Sequence, residues 1–164
     1  MPSAADQNRS LRALLAKVLD WEDAHVAFDS AVDAIPPASR GIRPDGAPHS
    51  PWQLLEHLRI CQWDILDFCR NPKYVELGFE DYWPATVAPP TAASWDESLA
   101  AFRRDRAALK ELASDSSVDL FGRIPHGTGQ TYLRELMLVA DHNAYHLGQL
   151  VLLRRLLGVW SKSG

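Results

Sequence analysis

Two of the six histidines stand in Asp141-His142-Asn143-Ala144-Tyr145-His146, an i, i+4 pair that one face of a helix would present to a single metal ion. A bare HxxxH also has a plainer reading, with one ring in water and the other a hydrogen-bonded core residue. Two nearby motifs do not fit. A zinc-protease helix needs Glu directly after the first His, where Asn143 stands. A di-iron bundle needs Glu-x-x-His on two of its helices, a set this chain lacks.

Positioning these rings requires helices. Leu11, Leu14, Val18, Trp21, His25, Phe28 and Val32 recur at spacings of 3 and 4 and predict a first helix from about Asp6 to Asp33. Ser50-Pro51-Trp52-Gln53 is a capping box with proline at the first helical position, and opens a second helix with an inward seam of Leu54, His57, Cys61, Asp64 and Phe68. Asn71-Pro72 stops it. The aromatic and proline-rich stretch from Asn71 to Ala93 reads as a crossover. Ser94-Trp95-Asp96-Glu97 reads as a second capping box for a third helix with Trp95, Leu99, Phe102, Leu109 and Leu112 inward. Leu133, Leu136, Ala140, Asn143, Leu147, Leu150 and Leu157 mark the fourth. No strand signal intervenes. The expected fold is all-α, a single domain over residues 1–164: a four-helix bundle, up-down-down-up, with the long crossover between helices two and three.

That topology levels the histidines. With the fourth helix starting near Thr131, His142 and His146 lie about 16 and 22 Å along it at ~1.5 Å per residue, and His57 on an antiparallel second helix lies about 20 Å up. His57, His142 and His146 are therefore the expected ligands of one divalent ion. Three neutral imidazoles leave a coordination position open, as in catalytic sites.

The stretches Trp52-Gln53-Leu54-Leu55-Glu56-His57-Leu58 and Asp141-His142-Asn143-Ala144-Tyr145-His146-Leu147-Gly148-Gln149-Leu150 resemble the DinB/YfiT-like family of metal-dependent enzymes. The resemblance implies the same up-down-down-up bundle and a divalent metal, commonly nickel or zinc, on His57, His142 and His146. It also implies a reaction class, since some branches are S-transferases or isomerases using low-molecular-weight thiols, while many members have no assigned reaction. The functional expectation is a metal-dependent enzyme, hydrolase-like or a thiol S-transferase, acting on a small molecule. The alternative is a non-catalytic helical bundle that binds metal or a small ligand.

Other chemistry-bearing residues have narrower roles. His25, level with His57 on the first helix, is expected to touch a ligand or the pocket, with a fourth-ligand role and a buried, hydrogen-bonded role as alternatives. Cys61, one turn after His57, is a small core residue or a thiol in the pocket wall. Asp64, inward on the same seam, needs a partner: a ligand imidazole, a structural hydrogen bond or an arginine. His49 and His126 are loop residues at opposite ends. Tyr82 and Trp83 of the crossover either form a pocket wall or simply cover an exposed seam.

With 17 basic and 21 acidic residues, a net charge of −4 and no basic cluster, nucleic acid and anionic membranes are not expected partners. Cys61 and Cys69 would lie about 12 Å apart on one helix at ~1.5 Å per residue, too far to bridge. No leader-like apolar segment or membrane span is evident. The expected setting is reduced and cytoplasmic, with a homodimer possible.

Overall fold

The computed structural model describes residues 1–20 and 23–160. Its α-helices are α1 (Ala4–Val18), α2 (Phe28–Val32), α3 (Pro51–Arg70), α4 (Ser94–Ser114) and α5 (Tyr132–Leu156), with 3-10 turns at Pro37–Ser39 and Phe79–Tyr82. The described residues contain no strand, only a single bridge pairing Arg123 with Thr131. No helix among them is long and apolar enough to cross a membrane.

Caps explain three of the boundaries. Ser50 accepts from the Gln53 amide and the Gln53 side chain returns to Ser50 N, as the capping box requires. Thr131 caps α5 by accepting from Arg134 N. At the far end of α5, Gly158 takes φ +69°, and Val159 N reaches back to Arg154 O. The expected box at Ser94 is corrected. Ser94 is the first residue of α4, and Ala93 caps without a side-chain bond. The reciprocal pair sits one turn earlier, with Thr91 N donating to Ser94 Oγ and Ser94 N to Thr91 Oγ1.

The first helix is also corrected. In place of one helix to Asp33, α1 ends at Val18 and α2 begins at Phe28. Asp20 and Asp29 both pair with Arg106 on α4, at 2.8 and 3.0 Å. Nine residues on one continuous helix rotate by about 180° at ~100° each, so an unbroken helix would send these carboxylates to opposite faces. The break lets both reach one guanidinium. Within α1 the buried face is Arg12 and Leu15, continued by Leu19 at its C-cap, and Leu14 is exposed. The apolar residues allow two registers, and Arg12 selects between them. Its guanidinium donates to Ala113 O in the last turn of α4, to Asp115 O at its cap and to Val118 O in the turn that follows, tying α1 to the carbonyl end of α4. Trp21 of the expected seam lies outside the described residues.

Helix α3 packs against both α4 and α5, and α1 packs against α4. Between α3 and α4 the bonded residue numbers rise together: Ser98 Oγ donates to Glu56 at 2.6 Å, Gln62 Nε2 to Phe102 O at 2.8 Å and Arg70 to Ala108 O at 2.8 Å. The apolar core falls into a cluster around Phe28, Trp52, Leu55, Phe102 and Leu150, and another around Leu15, Leu66, Leu109 and Leu136. Phe28 and Phe102 stack at 3.9 Å in the first. A polar layer crosses between three helices: Asn143 Nδ2 donates to Gln62 Oε1 at 3.1 Å, and Gln62 donates on to α4. Buried amides need such partners, which holds α3, α4 and α5 in one register next to His142.

Candidate metal centre

His57 comes from the middle of α3, and His142 and His146 from successive turns of α5. Their rings form a compact triangle, with centroids 5.0 Å apart for His57 and His142, 4.6 Å for His57 and His146 and 4.5 Å for His142 and His146. His57 Nε2 lies 3.1 Å from His142 Nε2.

Hydrogen bonds set which nitrogen each ring offers. His57 Nδ1 donates to the Tyr82 carbonyl at 2.7 Å, which leaves its Nε2 with a free lone pair. His146 Nδ1 bonds Gln149 Oε1 at 2.9 Å and so also presents Nε2. Burial pushes His57 and His142 down to about 4, and it lowers His146 too. The rings are neutral at physiological pH, the form that binds metal.

Cys61 joins them. Its Sγ lies 3.5 Å from His57 Nδ1 and 3.7 Å from Nε2, and ligand atoms of His57, Cys61 and His142 all fall within 4.8 Å of one another. The nearly equal distances place the sulfur to the side of both nitrogens, out of line with the Nε2 lone pair. Burial, reinforced by Asp64, pushes this thiol up to about 12, so it holds its proton. Spacing supplied the signal: His57 and Cys61 stand at i and i+4, as His142 and His146 do.

The crossover does form a wall. Trp83 stacks flat on His57, with centroids 3.7 Å apart at 2°, and on His49 at 3.8 Å and 11°. Asp64 finds its partners there too, accepting from Tyr74 OH at 3.0 Å and Tyr82 OH at 2.9 Å. Burial raises the Asp64 carboxyl, against the two tyrosine hydroxyls. Tyr82 thus bonds Asp64 through its hydroxyl and His57 through its carbonyl.

His25 is not brought to this cluster. It is exposed between α1 and α2, with Nδ1 3.0 Å from its neighbour's carbonyl, Val26 O. Its inward position depended on the continuous first helix, and the break removes it. His126 is exposed too, and its Nε2 bonds Phe68 O at 2.7 Å. Tyr145 is 65% exposed, its ring edge-on to His146 with centroids 4.9 Å apart.

The donors suit a borderline divalent ion. Two imidazole nitrogens on one zinc at ~2.0–2.1 Å must lie within about 4.2 Å of each other, and 3.1 Å meets that limit. Neutral imidazoles beside a sulfur suit zinc or nickel better than calcium or magnesium, which take oxygen ligands.

No curated protein and no solved structure gives a significant match to the chain. The family model of the DinB superfamily matches residues 20–150, which include α3, the crossover, α4 and the histidine pair of α5, and this chain belongs to that superfamily.

Proposed function

We propose that this protein is a divalent-metal-dependent enzyme in which His57, His142 and His146 hold one zinc or nickel ion and leave a coordination position for substrate. The observation that carries the reading is the 3.1 Å approach of two Nε2 atoms, one of them on a ring whose Nδ1 is committed to the Tyr82 carbonyl. Neutral imidazoles 3.1 Å apart with nothing between them gain at most one hydrogen bond, whereas a shared ion uses both lone pairs. Bound there, the ion would make water or a thiol a better nucleophile at neutral pH and polarise a carbonyl. Tyr82 and Gln149 hold two rings in the ligating tautomer, and Trp83 shields His57 from water. Cys61, a protonated thiol beside His57, is a further donor available to the ion.

The substrate class we favour is a small molecule processed with a low-molecular-weight thiol, or by a hydrolase-like step. Membership in the superfamily supports the metal more directly than it supports the reaction. One observation favours a second reading, a metal- or ligand-binding bundle without turnover. Asp64, the inward carboxylate two turns after His57 on α3, is committed to two tyrosines, and Glu56, next to His57 in sequence, is bonded to Arg59 and Ser98, so neither is free to act as a base.

We also assign the up-down-down-up bundle. Bonded residue numbers rise together between α3 and α4, oppose each other between α1 and α4 (Arg12 with Ala113, Asp20 with Arg106), and oppose between α3 and α5 (His57 with His146, Gln62 with Asn143).

Metal analysis of purified protein tests the centre. Stoichiometric zinc or nickel, lost in His57→Ala, His142→Ala and His146→Ala, is expected, and wild-type protein that binds neither ion would overturn the proposal. A screen of thiols against electrophiles, run on loaded protein and on His57→Ala, separates turnover from binding alone.

A further inference from the structure

Two cavities flank the histidine cluster along the groove between α3 and α5. The larger, about 460 Å³, holds Asp64, Tyr74, Tyr82, His126, Arg134 and Glu135 among its walls. Several of its polar groups are already committed: Asp64 to both tyrosines, Arg134 to Glu135, and His126 to Phe68 O.

The other cavity, about 310 Å³, lies between the 45–49 loop and the last turns of α5. Its apolar walls are Ala47, Pro48, Leu54, Leu152, Leu153 and Leu156, and its polar residues include His49 and Gln149. Leu152 and Leu156 are 55% and 58% exposed. Two of its polar members, Gln149 and His49, lead to the cluster, and Asp45 lies on the loop side. Gln149 bonds His146, and His49 stacks on the indole that stacks on His57. Leu54 sits one turn before His57. The cavity therefore adjoins the histidine cluster through Gln149 and His49, with leucines left in water on its wall.

We infer that this cavity receives the apolar arm of a small-molecule substrate whose polar head reaches the ion held by the three histidines. The inference rests on the metal-centre reading for the head and on the cavity alone for the arm. Its volume is at the small end of ligand pockets, ~300–1,000 Å³, which suits a ring or a chain of several carbons. Each methylene buried there should tighten binding by about threefold.

Two probes test it. Zinc-loaded protein is titrated calorimetrically with acetohydroxamic and octanohydroxamic acids, which share a metal-binding head. The longer acid is expected to bind at least tenfold tighter. The double variant Leu152→Glu, Leu156→Glu, at positions exposed enough to leave the fold intact, should erase that gain while keeping acetohydroxamate affinity. Equal affinities in wild type, or a gain that survives in the variant, would overturn the inference. The second probe is 1-heptanol added to metal-free protein. The methyl signals of Leu54, Leu152, Leu153 and Leu156 are expected to shift, and their staying still would also overturn it. If heptanol shifts these signals but neither hydroxamate binds loaded protein, the cavity stands and the open coordination position fails.

Discussion

Replacing Asp64 with asparagine should weaken metal binding although Asp64 need never touch the ion. Its two oxygens accept from Tyr74 and Tyr82, and the Tyr82 carbonyl holds His57 Nδ1 at 2.7 Å. Asparagine keeps the shape and one acceptor, but turns its amide nitrogen toward the other hydroxyl and removes the charge. Hydrogen bonds to a charged acceptor contribute ~1.5–3 kcal/mol against ~0.5–1.5 for neutral ones, so the clamp on the crossover should lose about 1–2 kcal/mol. Loss of a group that orients a ligand directly costs ~10–100-fold in metal affinity. Asp64 acts through one intervening residue, so we expect the low end, roughly tenfold, equivalent to about 1.4 kcal/mol. Competition between the protein and a chromophoric chelator for zinc measures this, with a thermal melt of the same samples. Tyr82→Phe should reproduce the loss, and Tyr74→Phe, which breaks the other hydrogen bond, should spare it. The reasoning is refuted if Asp64→Asn lowers the melting temperature and leaves zinc affinity unchanged. In the metal-free protein, nitrogen-15 spectra of the His57 ring should also show the Nδ1-protonated tautomer giving way to a mixture.

Three further outcomes are expected. Burial lowers His57 and His142 to about 4 and lowers His146 below its ordinary value, so protons should not compete for the three imidazoles between pH 7 and 8, and zinc affinity should be nearly flat there. If Cys61 must bind as thiolate, its proton, held up to about 12, has to leave, and affinity measured by chelator competition would instead rise about tenfold per pH unit. Arg12→Met should destabilise the fold by about 2–4 kcal/mol in a urea titration, because Ala113 O, Asp115 O and Val118 O, at and just past the end of α4, lose a charged donor, and a change below about 0.5 kcal/mol would refute that role. His25→Gln should leave both zinc affinity and the melting temperature unaltered, since the ring is exposed and bonds only its neighbour's carbonyl; loss of metal in that variant would return His25 to the site.

Local chemistry written in the sequence determined the helices that matter most to the site. The box at Ser50 and the stop at Asn71-Pro72 set the limits of α3, whose inward seam of His57, Cys61 and Asp64 is buried as the spacing requires. The i, i+4 histidines of α5 and the height argument brought three rings together, because helical rise and antiparallel packing are regular enough to be computed from residue numbers. What periodicity left open was decided by groups far apart in the chain. The break in the first helix lets Asp20 and Asp29 reach the one guanidinium of Arg106 on a distant helix, and it leaves His25 outside the site. Arg12 chose the buried face of α1 by reaching carbonyls about a hundred residues away. The crossover has no period to read, yet Asp64, Tyr82 and Trp83 fold it over His57 and fix that ring's tautomer. A hydrogen bond or ion pair between distant residues leaves no mark in local spacing, so these choices exist only once the chain has closed on itself.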